Sequence, residues 1–358
     1  MSTTHQRPGV YSDYDLSAVV TAAAGAKTVG VVARATSGTA CTVYTVTSYA
    51  EALDIFGDDG ESVGMMTLLH YLFLNGVATV AAVPAAVGSA VPTSTEYTNA
   101  LAALALTDNV GIVVCDSVDQ TVQTAVKTSM EAASANKRER IAVVALDSGT
   151  VATLTARAAV LNSERMVLVG PPPVDTDGST TLPGVCLAAA VAGVIACQTD
   201  PAVPLGGAAV RGFADVSKTY TETELDTLIL GGVTPVECVS GTVSPVRGVT
   251  TRTATGGAAD AAWRELSTIL IVDEVIPGMR NALRAMFRRT KNTARVRNAI
   301  RSQVIVELES RVAREIIDRY GEVTVTASET DPTVCVVTFP FTVAHGLNQI
   351  WLTAHITV

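Results

Sequence analysis

The chain has 358 residues, a net charge of −9, 48% hydrophobic and 16% charged residues, and only 4% aromatics. That length supports a large core divided over two or three domains. The acidity excludes a general nucleic-acid binder, and so weakly charged a surface fits one largely covered by neighbouring subunits.

Residues 1–22 read as an arm. Pro8-Gly9 is a turn signal, and Val10, Ser12, Tyr14 and Leu16 alternate with Tyr11, Asp13, Asp15 and Ser17. The segment lacks the apolar core of a secretion signal, so the expected site of synthesis is a cytosol. Residues 23–90 read as a small α/β or β-rich domain. TVGVVARAT and CTVYTVTS are short β-branched strands. Ser48 caps YAEALDIFG with Glu51 as its capping-box partner, and Gly57 ends that helix. VGMMTLLHYLFLN is a second helix, stopped at Asn75-Gly76 ahead of the buried strand VATVAAVPA.

Residues 91–244 alternate helices with the continuous apolar strands VGIVVCD, RIAVVALD and RMVLVGP. This is the pattern of a parallel sheet covered on both faces. LAAAVAGVIACQ is a small-residue helix; the apolar run Val185–Cys197 is too short to span a bilayer. Residues 200–250 are Pro/Gly-rich and irregular, with a short helix near Glu222–Leu230.

Residues 245–346 form the last domain. LSTILIVDE reads as a strand or buried segment, and a basic helix starts near Pro277. Arg280–Arg301 holds eight Arg/Lys and no acid, so the remainder of the chain sums to −17. Arg280, Arg284, Arg288, Lys291 and Arg295 are spaced 4, 4, 3 and 4, which on one helix places them on one face. Val275, Met279, Leu283 and Phe287 fall opposite. A solvated face or a docking ridge for a negatively charged partner both satisfy this pattern. Asn292 or Thr293 caps a further helix, expected to run through Ile317 to Gly321. Strands EVTVTAS and TVCVVTFPF follow. In residues 347–358, Ile350, Leu352, Ala354 and Ile356 alternate with polar neighbours, as in a strand donated to another chain's sheet.

No pattern carries catalysis or a cofactor. Gly25-Ala26-Lys27-Thr28 lacks the first glycine of a phosphate loop. Asp147-Ser148-Gly149-Thr150 is a strand-to-helix turn with a capping Ser148 or Thr150, not one half of an acid dyad. The four histidines include no metal-ligand pair, and His70 reads as a core residue. The six cysteines form no CxxC and read as small buried hydrophobes kept reduced.

The order of segments resembles that of contractile tail sheath proteins of bacteriophages and related injection machines. The residues carrying this resemblance are RPGVYSDYDLS, VTSYAEALDIFGDDGESVGMMTLLHYLFLNGVATVAAVPA, LAAAVAGVIACQTDP, VRGVTTRTA, LSTILIVDEV and RRTKNTARVRNAI. The resemblance implies a subtilisin-like α/β middle domain without catalytic residues and an α+β C-terminal sheath domain with extended arms. It implies a helical homopolymer of stacked, hexameric rings around an inner tube, with baseplate and tail terminator proteins as further partners, assembled in a host cytoplasm into a virion tail or phage-tail-like particle. Direct nucleic-acid contact, membrane insertion and cofactors are not expected. Arg280, Arg284, Arg288, Arg289 and Lys291 would then face the tube, and Val10, Tyr11, Tyr14, Leu16, Ile350, Leu352, Ala354 and Ile356 would join other subunits' sheets. The other readings are an α/β hydrolase-like enzyme and a non-contractile shell or capsid protein.

Overall fold

The structure, a computed structural model, describes residues 27–60 and 62–348. In chain order its elements are β1 (Thr28–Ala35), β2 (Tyr44–Val46), α1 (Tyr49–Phe56), α2 (Met65–Leu74), β3 (Val80–Val87), α3 (Ser94–Ala105), β4 (Val110–Cys115), α4 (Gln120–Ala135), β5 (Ile141–Ala145), α5 (Val151–Leu161), β6 (Met166–Gly170) and β7 (Pro173–Val174). There follow α6 (Gly184–Cys197), β8 (Asp215–Val216), α7 (Glu222–Leu230), β9 (Val233–Val239), β10 (Thr242–Pro245), β11 (Ala254–Thr255), β12 (Ala258–Ala259), α8 (Leu266–Phe287), α9 (Ala294–Ala313), β13 (Ile317–Tyr320), β14 (Thr324–Ala327), β15 (Cys335–Thr338) and β16 (Phe341–Val343).

Eight strands form one sheet in the order β10-β9-β6-β5-β4-β1-β3-β2. Its interior pairs are parallel, and an antiparallel strand closes each edge. Apolar side chains leave both faces, as a sheet buried on both sides requires. One face carries α1, α2 and α6; the other carries α3, α4, α5 and α7. β1, β2 and β3 share this sheet with β4, so the boundary expected at residue 90 crosses a single hydrogen-bonded layer. Sequence reading missed β9 and β10 inside the stretch taken as irregular. Pro235 argues against a strand, yet it lies within β9 opposite Gly170.

Side-chain caps start the helices as expected at Ser48, Thr150 and Thr293, and also at Thr93, Asp119 and Thr221. At Ser48 the capping box is incomplete, because the Glu51 carboxylate bonds the Thr47 N–H. Two expectations about burial fail. His70 is on the exposed face of α2, edge-on to Tyr49 and Tyr71. Cys41 and Cys197 are exposed, while Cys115 and Cys186 are buried.

The largest correction concerns LSTILIVDE. It is the first half of the 22-residue helix α8, with Pro277 inside the helix and not at its start. Leu266, Ile269 and Leu270 pack into the sheet's core, whereas Ile271, Val275 and Met279 enter a second core with α9 and β13. A helix buried on two sides loses its apolar–polar period, and its β-branched residues then mimic a strand. Helix α9 stops at Ala313, where Glu315 takes a left-handed turn (φ 58°) into β13; Gly321 lies beyond that strand. Two ribbons, β13–β16 and β14–β15, complete this second unit.

Helix α6 crosses the middle of one sheet face almost wholly buried. Its small residues permit this close approach. A Cβ on Gly184 would stand 2.2 Å from the Leu146 carbonyl oxygen, and Asp147 Oδ1 accepts the Gly184 N–H at 2.7 Å. The obstacle is backbone at the end of β5 and cannot rotate away. Gly184→Ala should therefore destabilise the fold by about 1–3 kcal/mol, read as a lower urea midpoint. An unchanged midpoint would show that α6 shifts freely.

Candidate interface: a charged joint and a basic tip

Helix α8 meets the sheet at the amino-terminal edge of its parallel strands. Arg140 precedes β5 and Arg165 precedes β6, so both arrive where a strand begins. Arg165 donates to both carboxylate oxygens of Asp273 on α8, at 2.9 and 3.1 Å, and to the Arg140 carbonyl at 3.2 Å. The two side chains are 9% and 6% exposed, which makes this a buried pair. Burial raises the Asp273 carboxyl above its ordinary value, against the pull of Arg165 and Lys27. Burial likewise lowers the Lys27 ammonium.

A second clasp joins the same elements. Arg280 on α8 donates to Glu139 at 2.7 and 3.3 Å, and to the Lys137 carbonyl at 3.4 Å. Burial raises the Glu139 carboxyl, but the bond from Arg280, its own backbone and the charges of Arg280 and Arg165 outweigh it and hold it low. Arg140 anchors the layer beneath by donating to the carbonyls of Leu104 and Thr107. Together these groups fix α8 against the sheet.

The expected five-membered stripe does not form. Helix α8 ends at Phe287, Arg288 is extended (ψ 129°), and Arg289 is left-handed (φ 64°). Thr290 Oγ1 donates to the Phe287 carbonyl at the helix end. Asn292 ties the connection to the β14–β15 ribbon through the carbonyls of Pro332 and Val334, and Thr293 starts α9. Of the five residues only Arg280 and Arg284 lie on α8, and Arg280 is bound to Glu139. Arg284, Arg288, Arg289 and Lys291 are exposed and form a basic tip where α8 turns into α9. The candidate arm residues Val10, Tyr11, Tyr14, Leu16, Ile350, Leu352, Ala354 and Ile356 lie outside the described residues.

The carboxylates at the opposite, carboxyl-terminal edge of the sheet are held in structural bonds. Asp116 accepts from Tyr97 Oη at 2.5 Å and the Arg34 N–H at 2.8 Å. Burial raises its carboxyl to about 6. Asp147 meets the start of α6, and Thr150 caps α5. Among the described residues no three His, Cys, Asp or Glu side chains gather as a metal site. No described helix is long and apolar enough to cross a membrane.

These two units define a class. Residues 90–251 match the family described as "Phage tail sheath protein central domain", and residues 258–357 match "Phage tail sheath C-terminal domain". The chain belongs to the phage tail sheath family. It is 28% identical over 207 residues to the tail sheath protein of Mycobacterium phage Bxz1, a match covering 55% of this chain and 36% of that one. It is 29% identical over 212 residues to the tail sheath protein of Bacillus phage SP01, covering 56% and 34%. The matches thus span about a third of these relatives' length. The fold is shared with the sheath tail protein of Desulfitobacterium hafniense (TM-score 0.71, 12% identity, 94% of this chain and 100% of that one). It is also shared with a chain of the contracted helical sheath of the anti-feeding prophage (TM-score 0.71, 16% identity, 99% of each chain).

The buried pair gives one prediction. Arg165→Met leaves the Asp273 charge unpaired and should cost about 3–5 kcal/mol in urea unfolding. The Arg165→Met/Asp273→Leu double variant should recover most of that loss; a purely additive double variant would show the two charges to be uncoupled. Asp116 gives another. The folded chain keeps its proton to about pH 6, whereas an unfolded aspartate loses it near pH 4. Stability therefore falls as pH rises through that window. Asp116→Asn should flatten the fall, measured as urea midpoints at pH 4 and 6.5; an unchanged slope would refute this origin.

Proposed function

We propose that this chain is a tail sheath subunit that polymerises around an inner tube and contracts to drive the tube through a target envelope. The observation that carries the reading is the succession of both sheath family domains along one chain. The helical sheath and baseplate settings of its structural neighbours support self-assembly and association with a baseplate. The role is structural and not catalytic. The middle unit acts as a subtilisin-type α/β scaffold whose carboxylates hold helices in place.

In this reading the polymer is built of stacked, hexameric rings, assembled in the host cytoplasm and closed by a terminator protein in a virion tail or phage-tail-like particle. Residues 1–22 and 347–358 add strands to the two-stranded ribbons of neighbouring copies. Open sheet edges accept such strands through backbone hydrogen bonds. The tube meets the basic tip, Arg284, Arg288, Arg289 and Lys291. Arg280 leaves the tube-facing set because Glu139 holds its guanidinium. Each exposed pair with a tube carboxylate contributes only ~0–1 kcal/mol. Repetition around every ring makes the sum large, and its parts remain separable.

Electron microscopy tests the assignment. The purified chain should form hollow striated tubes, and the chain lacking residues 348–358 should remain folded and unpolymerised. Arg288→Glu/Arg289→Glu/Lys291→Glu should abolish sheath assembled on its tube while free sheath tubes persist. Wild-type yield on the tube would remove the basic tip from that contact. A wild-type chain that never polymerises would overturn the assignment itself.

A further inference from the structure

At the amino-terminal edge of the sheet, between α8 and the starts of β1, β4 and β5, lies a cleft of about 490 Å³. Lys27, Lys137, Arg140 and Arg284 line it, and none of them forms an ion pair among the described residues. Its three acids, Asp108, Glu139 and Asp273, are already bound to Arg138, Arg280 and Arg165. Arg140 is only 2% exposed, and its Nε has no hydrogen-bond partner there. A cleft walled by cations without an ion-pair partner, one of them with a buried Nε–H left unpaired, favours an anionic occupant.

Residues 48–64 hold five acids and no Lys or Arg. Within this stretch α1 spans Tyr49–Phe56, and a turn follows it through Gly60. The end of α1 sits at the carboxyl-terminal end of β1, where Ser37 N–H donates to the Phe56 carbonyl at 2.7 Å. Asp54 and Asp58 are exposed there, beside Tyr49 and Leu53, each 40% exposed. Lys27 stands at the other end of the same eight-residue strand, roughly 25 Å away at ~3.3 Å per residue.

We propose that the cationic cleft of one copy receives the acidic α1 turn of a second copy. The inference rests on the sheath assignment, because a helical polymer needs a head-to-tail contact between two different, complementary patches of one chain. Charge complementarity selects the occupant, and Tyr49 and Leu53 supply the apolar area that exposed ion pairs lack. The contact stacks copies along the direction of the sheet's strands.

A charge exchange tests this contact in the full-length chain. Lys137→Glu/Arg138→Glu reverses the cleft, and Asp54→Lys/Asp58→Lys reverses the turn. Each double variant should keep the wild-type circular dichroism and raise the critical concentration for free sheath tubes roughly tenfold. The four-substitution chain should return most of the way to wild type, and raised salt should weaken wild-type assembly in the same direction. Wild-type tubes with unaffected double variants would overturn the contact while leaving the sheath assignment standing. Loss of assembly only on the tube, with free tubes unaffected, would show that the cleft receives the tube instead. A four-substitution chain as defective as either double variant would also refute it. A wild-type chain that stays monomeric would overturn both readings.

Discussion

Helix α8 is apolar on two sides because it closes two cores at once, with Leu266, Ile269 and Leu270 in one and Ile271, Val275 and Met279 in the other. A helix so placed is greasy in most directions and could slide or rotate with little change in buried area. Polar contacts must therefore set its position. The Arg165–Asp273 pair does this from inside the joint, and Arg280–Glu139 does it two turns further along. A buried ion pair seldom adds net stability, since desolvation offsets the attraction; its best-attested use is to fix register. Here the register concerns how the sheath domain at the end of the chain is carried by the α/β unit.

That geometry determines which positive charges remain available. Arg165 and Arg280 are matched by Asp273 and Glu139, and the break after Phe287 leaves Arg288, Arg289 and Lys291 exposed. The block thus divides into an internal clasp and an exposed tip. A single straight helix would have presented both as one ridge. The short connection, held by Thr290 and Asn292, separates them.

Most of the α/β unit was legible because its signals are local. Short apolar strands lie between helices that announce themselves with Ser48, Thr150 and the Asn75-Gly76 stop. The errors occur where a local signal depends on what lies across the fold. The first half of α8 reads as a strand because burial on both faces erases the period. His70 reads as core because its neighbours Leu69, Tyr71 and Leu72 are core, yet it lies on the face of that helix that is exposed. The basic stripe rested on spacing across Thr290–Thr293. Thr293 is itself a helix-start signal, and a start implies a preceding break. That cue argued against one continuous face. No residue pattern marked Glu139 or Asp273 as partners, because both pairs join segments more than 100 positions apart.

Contacts of two strengths follow, and they suit different tasks. The contacts inside the joint are buried, bidentate and mutually supported, so opening them leaves charges without water or partner. The exposed cations at the tip are solvated before and after any partner leaves, so each contact is weak and reversible. A subunit that changes its neighbours while keeping its own shape needs this division. In the proposed sheath, the free energy of such a change would not come from the tip, because its contacts with a tube would be small and would be lost on contraction. It must come from surfaces that gain area between copies. Exposed apolar residues such as Leu106, Leu230 and Val306, at 74%, 61% and 58% exposure, lie outside both cores and are available for that gain.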